Sequence, residues 1–257
     1  MIPLLPPRDA WKQSRDALLG LVYPNCCQIC AEEPATAAEG YVGAECRRSL
    51  RPIGEARCVR CGLPFPGDLN HEFTCANCAG LDLAFDSARA AVVAAGVVLE
   101  VIHRFKYQRA RWFEPFLVDL LLNAALPELR GAGWTAVVPV PLHPVKERER
   151  EFNQADCLAL PLARALGIPL RRRLVQRVAP TQTQTHLSRS QRAGNVRRAF
   201  QRRNDDRLDG ESLIVVDDVL TTGATTSAVA GVLRRLGASR VCVWSVARAV
   251  LGETPTQ

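Results

Sequence analysis

The segment LIVVDDVLTTGAT, Leu213 to Thr225, constrains the chain more than any other stretch. Ser212 to Val216 is an apolar run of the kind expected for a strand covered on both faces. Asp217 and Asp218 follow at its carboxyl end. The chain then turns through Thr221-Thr222-Gly223-Ala224-Thr225, and Thr226 to Leu236 is patterned as a helix stopped by Gly237. A helix entered this way offers free backbone N–H groups and the positive end of its dipole. Gly223 permits close backbone approach, and Thr221, Thr222 and Thr225 add hydroxyl donors, so the turn makes a phosphate cradle. Asp217 and Asp218 are placed to accept hydrogen bonds from a sugar diol or to approach a divalent cation. Asp and Thr also cap ordinary helices; the full run, taken together, is what points to a sugar phosphate.

The rest of the chain beyond residue 80 alternates in the same way. Ala88 to Ala95 reads as a strand, Leu99 to Tyr107 and Pro115 to Ala125 as helices, and Thr135 to Val140 as a β-rich run. A loop through Arg150 leads to a helix from Asn153 to Leu166 closed by Gly167, a short strand near Leu174, and a final strand from Arg240 to Val246. Such alternation predicts an α/β fold with a mainly parallel sheet.

Eight of the ten cysteines lie between Cys26 and Cys78. Cys58-x-x-Cys61 and Cys75-x-x-Cys78 form two knuckles, each able to place two thiolates on one ion, and four thiolates suit a tetrahedral structural Zn²⁺. An upstream set is incomplete. Cys27-x-x-Cys30 is one knuckle, but its expected partner keeps only Cys46, with Gly43 where a double zinc ribbon places cysteine. Cys26 or a residue from elsewhere is then needed as fourth ligand, or the site is lost. Cys157 and Cys242 stand apart in apolar surroundings and read as buried small hydrophobes. The composition shift near residue 80 divides the chain into a segment 1–22 with an amphipathic helix over Arg8 to Val22, a zinc-ribbon module 23–80, and an α/β domain 81–257.

The net charge of +7 comes from 33 basic residues, of which only Lys12, Lys106 and Lys146 are lysine. That bias alone says little about partners. Distribution says more, because Arg171 to Arg203 contains many arginines and no acid; such a block seeks phosphates or forms a solvated face. The first residues, MIPLLPPRDAWK, are broken by prolines and charges, which predicts neither a signal peptide nor a membrane span and makes the cytoplasm the expected compartment.

Leu213 to Thr225 closely resembles the phosphoribosyl pyrophosphate signature of type I phosphoribosyltransferases. VVPVPLH (Val137 to His143) resembles the pyrophosphate strand and loop of that fold. KEREREFNQA (Lys146 to Ala155) resembles the RGFNQA element of the ComF family, whose pattern LEVIHRFKY (Leu99 to Tyr107) and TQTQTHLSRSQRAGNVRRAF (Thr181 to Phe200) also match. By these motifs the chain is identified as a member of that family from Tyr23 to Arg248.

The resemblance implies a type I phosphoribosyltransferase-like domain behind a zinc module, acting in DNA uptake and natural transformation through single-stranded DNA and DNA-uptake proteins. It also implies that Asp217 and Asp218 contact ribose hydroxyls, that Thr221 to Thr225 hold the 5-phosphate, and that Val140, Pro141, Leu142 and His143 lie near the pyrophosphate with Mg²⁺. Arg177 to Arg192 would be the mobile loop that clamps it. Glu151 departs from the family, which commonly has glycine there. Arg148, Asn153, Gln154 and Asn195 fit the pattern without a derivable role, and Asn153 is a candidate helix cap. His103 and Lys106 read as surface or packing residues, and Tyr41, Phe65 and Phe73 as stacking platforms or core. Two other functions remain open: an active phosphoribosyltransferase with an amine or nucleobase acceptor, for which no acceptor pocket or catalytic base is identifiable, and a regulator that senses phosphoribosyl pyrophosphate without turnover.

Overall fold

A computed structural model describes residues 25–67, 72–80, 82–179, 198–204 and 207–250. The expected helix over Arg8 to Val22, the arginine-rich stretch from 180 to 192 and Asn195 lie outside the described residues. Four strands form a wholly parallel sheet: β1 (Ser87–Val93), β2 (Ala136–Pro139), β5 (Ser212–Leu220) and β6 (Arg240–Arg248), in the order β1-β6-β5-β2. Two short strands, β3 (Val175–Arg177) and β4 (Phe200–Arg202), pair antiparallel on either side of residues 178–199.

The four strands of the parallel sheet carry long apolar runs because both faces are covered. On β5, Ile214 and Val216 face one layer while Leu213 and Val215 face the other; on β6, Cys242, Trp244 and Val246 alternate likewise with Val241 and Val243. The first layer holds helices α3 (Gly96–Tyr107), α4 (Glu114–Leu129) and α6 (Gln154–Leu166), whose Val101, Phe105, Phe116, Leu121, Leu158 and Leu162 are fully or almost fully buried. The second holds α7 (Ala224–Leu236), through Val229, Val232 and Leu233, with Leu174, Val175 and Phe200 beside it. Burying each such side chain contributes about 1.5–3 kcal/mol.

Two short helices, α1 (Ala44–Arg48) and α2 (Ala76–Ala79), belong to the cysteine-rich region. Cys27, Ala35, Val42 and Cys46 join the first layer's apolar cluster. Gly40 marks a close approach: a Cβ there would stand 2.7 Å from the backbone nitrogen of Phe116. The contact is sealed by Arg47, which lies over the Phe116 ring at 4.9 Å and pairs with Asp119 at 3.0 Å, and by Arg104, which donates to the Gln28 carbonyl at 2.7 Å.

Three elements differ from expectation. The strand expected over Ser212 to Val216 runs on to Leu220, because β6 continues beside it with Asp217 opposite Ser245 and Leu220 opposite Arg248. The loop through Arg150 contains helix α5 (Pro144–Arg150), which buries no residue and so carries no apolar period for the eye to find. Cys242 is buried as expected, whereas Cys157 is only partly so.

A candidate sugar-phosphate cleft joined to a thiolate cluster

Pairing between β2 and β5 ends where the Val140 amide donates to the Val216 carbonyl at 2.9 Å. Beyond that point β5 continues without its neighbour and the chain after β2 turns away, opening a cleft at the carboxyl ends of the strands. Its volume is about 370 Å³, and its walls include Asp217, Asp218, Thr221 and Thr225 on one side and Val140, Pro141 and Leu142 on the other. Gly223, at φ +79°, takes the left-handed conformation that lets the chain enter α7, where Thr226 bonds back to its carbonyl at 3.1 Å. Thr222 and Ala224 belong to the same turn, with the Ala224 amide 3.4 Å from the Thr222 hydroxyl. His143 sits farther along, its Nδ1 accepting from the Val145 amide at the start of α5.

The acids are held in a demanding environment. Asp217 and Asp218 are 9 % and 3 % exposed, and Asp217 Oδ1 accepts the Asp218 amide at 2.9 Å. Burial first, and the charge of Asp218 second, push the Asp217 carboxyl well above the usual carboxylate range, against the opposing pull of Lys106. Lys106 Nζ forms an ion pair with Asp218 Oδ2. This corrects the reading of Lys106 as a surface or packing residue: α3 carries Lys106, His103 and Tyr107 along one wall of the cleft. Their i, i+3, i+4 spacing was the available signal. Among the described residues, Asp218 Oδ2 still receives no hydrogen bond of good geometry.

Asn153 is the helix cap expected of it, and both it and Gln154 make further contacts that sequence alone did not supply. The Asn153 side chain accepts the Ala155 amide at 3.0 Å, capping α6, and donates to the Val140 carbonyl at 3.0 Å, so it fixes the loop facing the acids. Gln154 is 6 % exposed, lines the cleft and accepts from Arg150 at 2.9 Å. Glu151 ends α5 at φ +68°, which explains why glycine suits this position; its carboxylate pairs with Arg109 at 2.8 Å. Among the described residues Arg148 has no contact that explains it. Arg177, on β3, reaches the cleft from the β3–β4 side, and burial lowers its pKa against the pull of Asp217.

Through Pro141, Leu142 and Arg177 the cleft adjoins a groove of about 660 Å³ that is also lined by Arg111, Arg172, Arg173 and Arg203, with Glu147 and Asp156 as its acids among the described residues. Trp112 and Tyr107 are 48 % and 64 % exposed nearby in the chain. Of the expected stacking residues, Phe65 and Phe73 pack on each other with ring centres 5.1 Å apart, and Tyr41 is partly buried.

Cys58, Cys61, Cys75 and Cys78 converge behind the turn that enters α7. Their sulfur atoms all lie within 4.8 Å of one another, with Cys61 to Cys75 at 3.6 Å and Cys58 to Cys78 at 3.8 Å. Four thiolates at about 2.3 Å from one tetrahedral Zn²⁺ have edges of about 3.8 Å, so the cluster fits the ion. Its electrostatics also call for a cation. Burial raises the Cys58 thiol, but the amides of Cys75, Cys61 and Arg60 bring it down to about 7, while burial and the nearby Cys61 push Cys78 up. Arg248, 5 % exposed, donates to the Cys61 carbonyl at 3.0 Å and sulfur at 3.5 Å, and on its other side to the carbonyls of Leu220 and Thr221. The upstream Cys27, Cys30 and Cys46 are brought together as well, with Glu33 among them.

Residues 18–79 match the double zinc ribbon domain family. The chain is 32 % identical over 229 residues to Competence protein F of Haemophilus influenzae, covering 79 % of this chain and 95 % of that protein. It is 31 % identical over 231 residues to DNA utilization protein YhgH of Escherichia coli, covering 89 % and 99 %. Among solved structures, a purine phosphoribosyltransferase from Pyrococcus horikoshii aligns at 19 % identity and a TM-score of 0.35, over 55 % of this chain and 93 % of that one. With its ribbon, its parallel sheet and relatives spanning most of its length, the chain belongs to the ComF family, alongside Competence protein F and DNA utilization protein YhgH.

Proposed function

We propose that this chain acts in DNA utilization, binding phosphoribosyl pyrophosphate with Mg²⁺ in the cleft and single-stranded DNA along the arginine-lined groove beside it. The observation that carries this reading is the convergence of two distant segments: Asp217, Asp218, Thr221 and Thr225 line one cleft together with Val140, Pro141 and Leu142. In the proposed pose the acids take the ribose hydroxyls and the turn before α7 takes the 5-phosphate. His143 lies at the outer end of the pyrophosphate loop, and Arg177 reaches in from the side of the arginine-rich stretch. Residues 23–80 serve as a zinc-ribbon module and 81–257 as the ligand-binding domain. The competence and DNA-utilization names of the relatives suggest the pathway, and the cytoplasm is the proposed compartment.

A nucleobase transferase is the second reading, since an acceptor has room in the adjoining groove. Five arginines against two acids favour an anionic partner there over a neutral base. No helix among the described residues is long and apolar enough to cross a membrane.

Calorimetric titration of zinc-replete protein with phosphoribosyl pyrophosphate and Mg²⁺ tests the cleft, with Asp217→Ala plus Asp218→Ala as control. Saturable binding lost in the control supports it; a folded wild type that does not bind refutes it. Fluorescence anisotropy with a labelled oligothymidylate tests the groove. Binding that weakens with salt, and weakens further in Arg172→Ala plus Arg173→Ala, is expected. Release of pyrophosphate with an added nucleobase would instead favour the transferase.

A further inference from the structure

We propose that the upstream ribbon is a complete zinc site in which the Glu33 carboxylate replaces the missing cysteine, giving a Cys27, Cys30, Cys46, Glu33 ligand set. The ligand atoms of these four residues lie within 4.8 Å of one another, with Cys27 to Cys46 sulfurs at 3.6 Å and Cys30 sulfur to Glu33 Oε1 at 3.6 Å. For a tetrahedral Zn²⁺ with sulfur at about 2.3 Å and oxygen at about 2.0–2.2 Å, such edges are about 3.5–3.8 Å. The observed edges match.

Space at Gly43 gives a second, independent line. A Cβ built on Gly43 would fall 2.2 Å from Glu33 Cδ and 2.5 Å from its Oε1. The carboxylate thus occupies the volume into which a side chain at 43 would project, the position where a double zinc ribbon has its cysteine.

Backbone hydrogen bonds give a third. In a zinc knuckle the first thiolate accepts the amides two and three residues later: Cys27 takes those of Ile29 and Cys30, and Cys58 those of Arg60 and Cys61. Counted from 43, the corresponding amides are those of Glu45 and Cys46. Both donate to Glu33, at 2.8 Å to Oε2 and 3.1 Å to Oε1. Glu33 has taken over the space and the hydrogen bonds of the absent thiolate. Three thiolates and one carboxylate also carry the same total charge as four thiolates, so the electrostatic balance with the ion is kept. The harder oxygen donor makes this the more labile of the two sites.

The test is zinc content and ¹¹³Cd NMR on the full chain. Wild type should hold two zinc ions, and the cadmium-loaded protein should give two resonances, one of the four-sulfur type and one shifted upfield as for three sulfurs and an oxygen. Glu33→Gln keeps the shape of the side chain and an acceptor for one of the two amides while removing the anionic ligand, and should lose one zinc and the upfield resonance. Glu33→Ala with Gly43→Cys should restore two ions, both of the four-sulfur type, and slow the faster phase of zinc release to a chelator. Gly43→Cys alone should perturb the site by collision with Glu33. A wild type with one zinc, or a Glu33→Gln variant with two and an unchanged spectrum, would overturn the assignment and leave Glu33 as a cap of α1 only.

Discussion

Arg248 donates from Nε to the Cys61 carbonyl at 3.0 Å, joining the last residue of β6 to the downstream thiolate cluster. The same guanidinium reaches the carbonyls of Leu220 and Thr221, at the entrance to the phosphate turn. One buried cation therefore holds together a metal knuckle and the mouth of the cleft. Arg248→Lys keeps the charge but lacks the planar fork needed to serve both sides. It should lower stability by roughly 1–3 kcal/mol and weaken phosphoribosyl pyrophosphate binding while retaining bound zinc. Urea unfolding, calorimetry and metal analysis on one preparation check this.

Asp217 has a raised carboxyl pKa in the folded chain, against an ordinary value of 3.8. The folded state then binds more protons than the unfolded one between those two values, so stability falls as pH rises through that window and the cost persists above it. Asp217→Asn should therefore stabilise the protein at pH 7 by roughly 0.5–2 kcal/mol, with the gain vanishing toward pH 4, and should abolish ligand binding. Equal thermal stability of the two proteins at both pH values would refute the expectation.

Lys106 gives the opposite sign. Its partner Asp218 has a side chain only 4 % exposed, so Lys106→Met leaves a buried carboxylate without its cation. A loss of about 1–3 kcal/mol is expected at pH 8. Urea denaturation of this variant beside Lys106→Met plus Asp218→Asn distinguishes a bare carboxylate from lost packing: removing the charge should recover much of the loss in the first case and none in the second.

Glu151 occupies a left-handed backbone position and pairs only with the exposed Arg109. Exposed ion pairs contribute little, and the left-handed conformation costs a residue with a Cβ roughly 1–2 kcal/mol. Glu151→Gly should raise stability by up to about 1 kcal/mol, measured by urea midpoint, with ligand affinity unchanged or improved.

The parallel sheet was legible because Leu213–Val216 and Val241–Trp244 are buried on both faces and so read as unbroken apolar runs. The extension of β5 through Asp217 and Asp218 was not legible, since two acids look like the end of a strand until Ser245 is seen opposite. Helix α5 escaped notice for want of an apolar face. The cleft's acids, threonines and loop were readable as a motif, but Lys106 was not, because its partner is 112 positions away and only the fold brings α3 to the end of β5. Glu33 was hidden for a related reason: a ligand three residues beyond Cys30 lies outside the knuckle spacing that announces the others.

The apolar cluster that Cys27, Ala35, Val42 and Cys46 share with Phe116 and Leu121 also bears on biosynthesis. On the ribosome the ribbon emerges first, yet the surface it must rest on does not exist until α4 has been made. Metal capture can close the knuckles early, but their apolar side stays wet through that interval. Until then a nascent chain carries an apolar face with nothing to cover it, which is a surface open to wrong association.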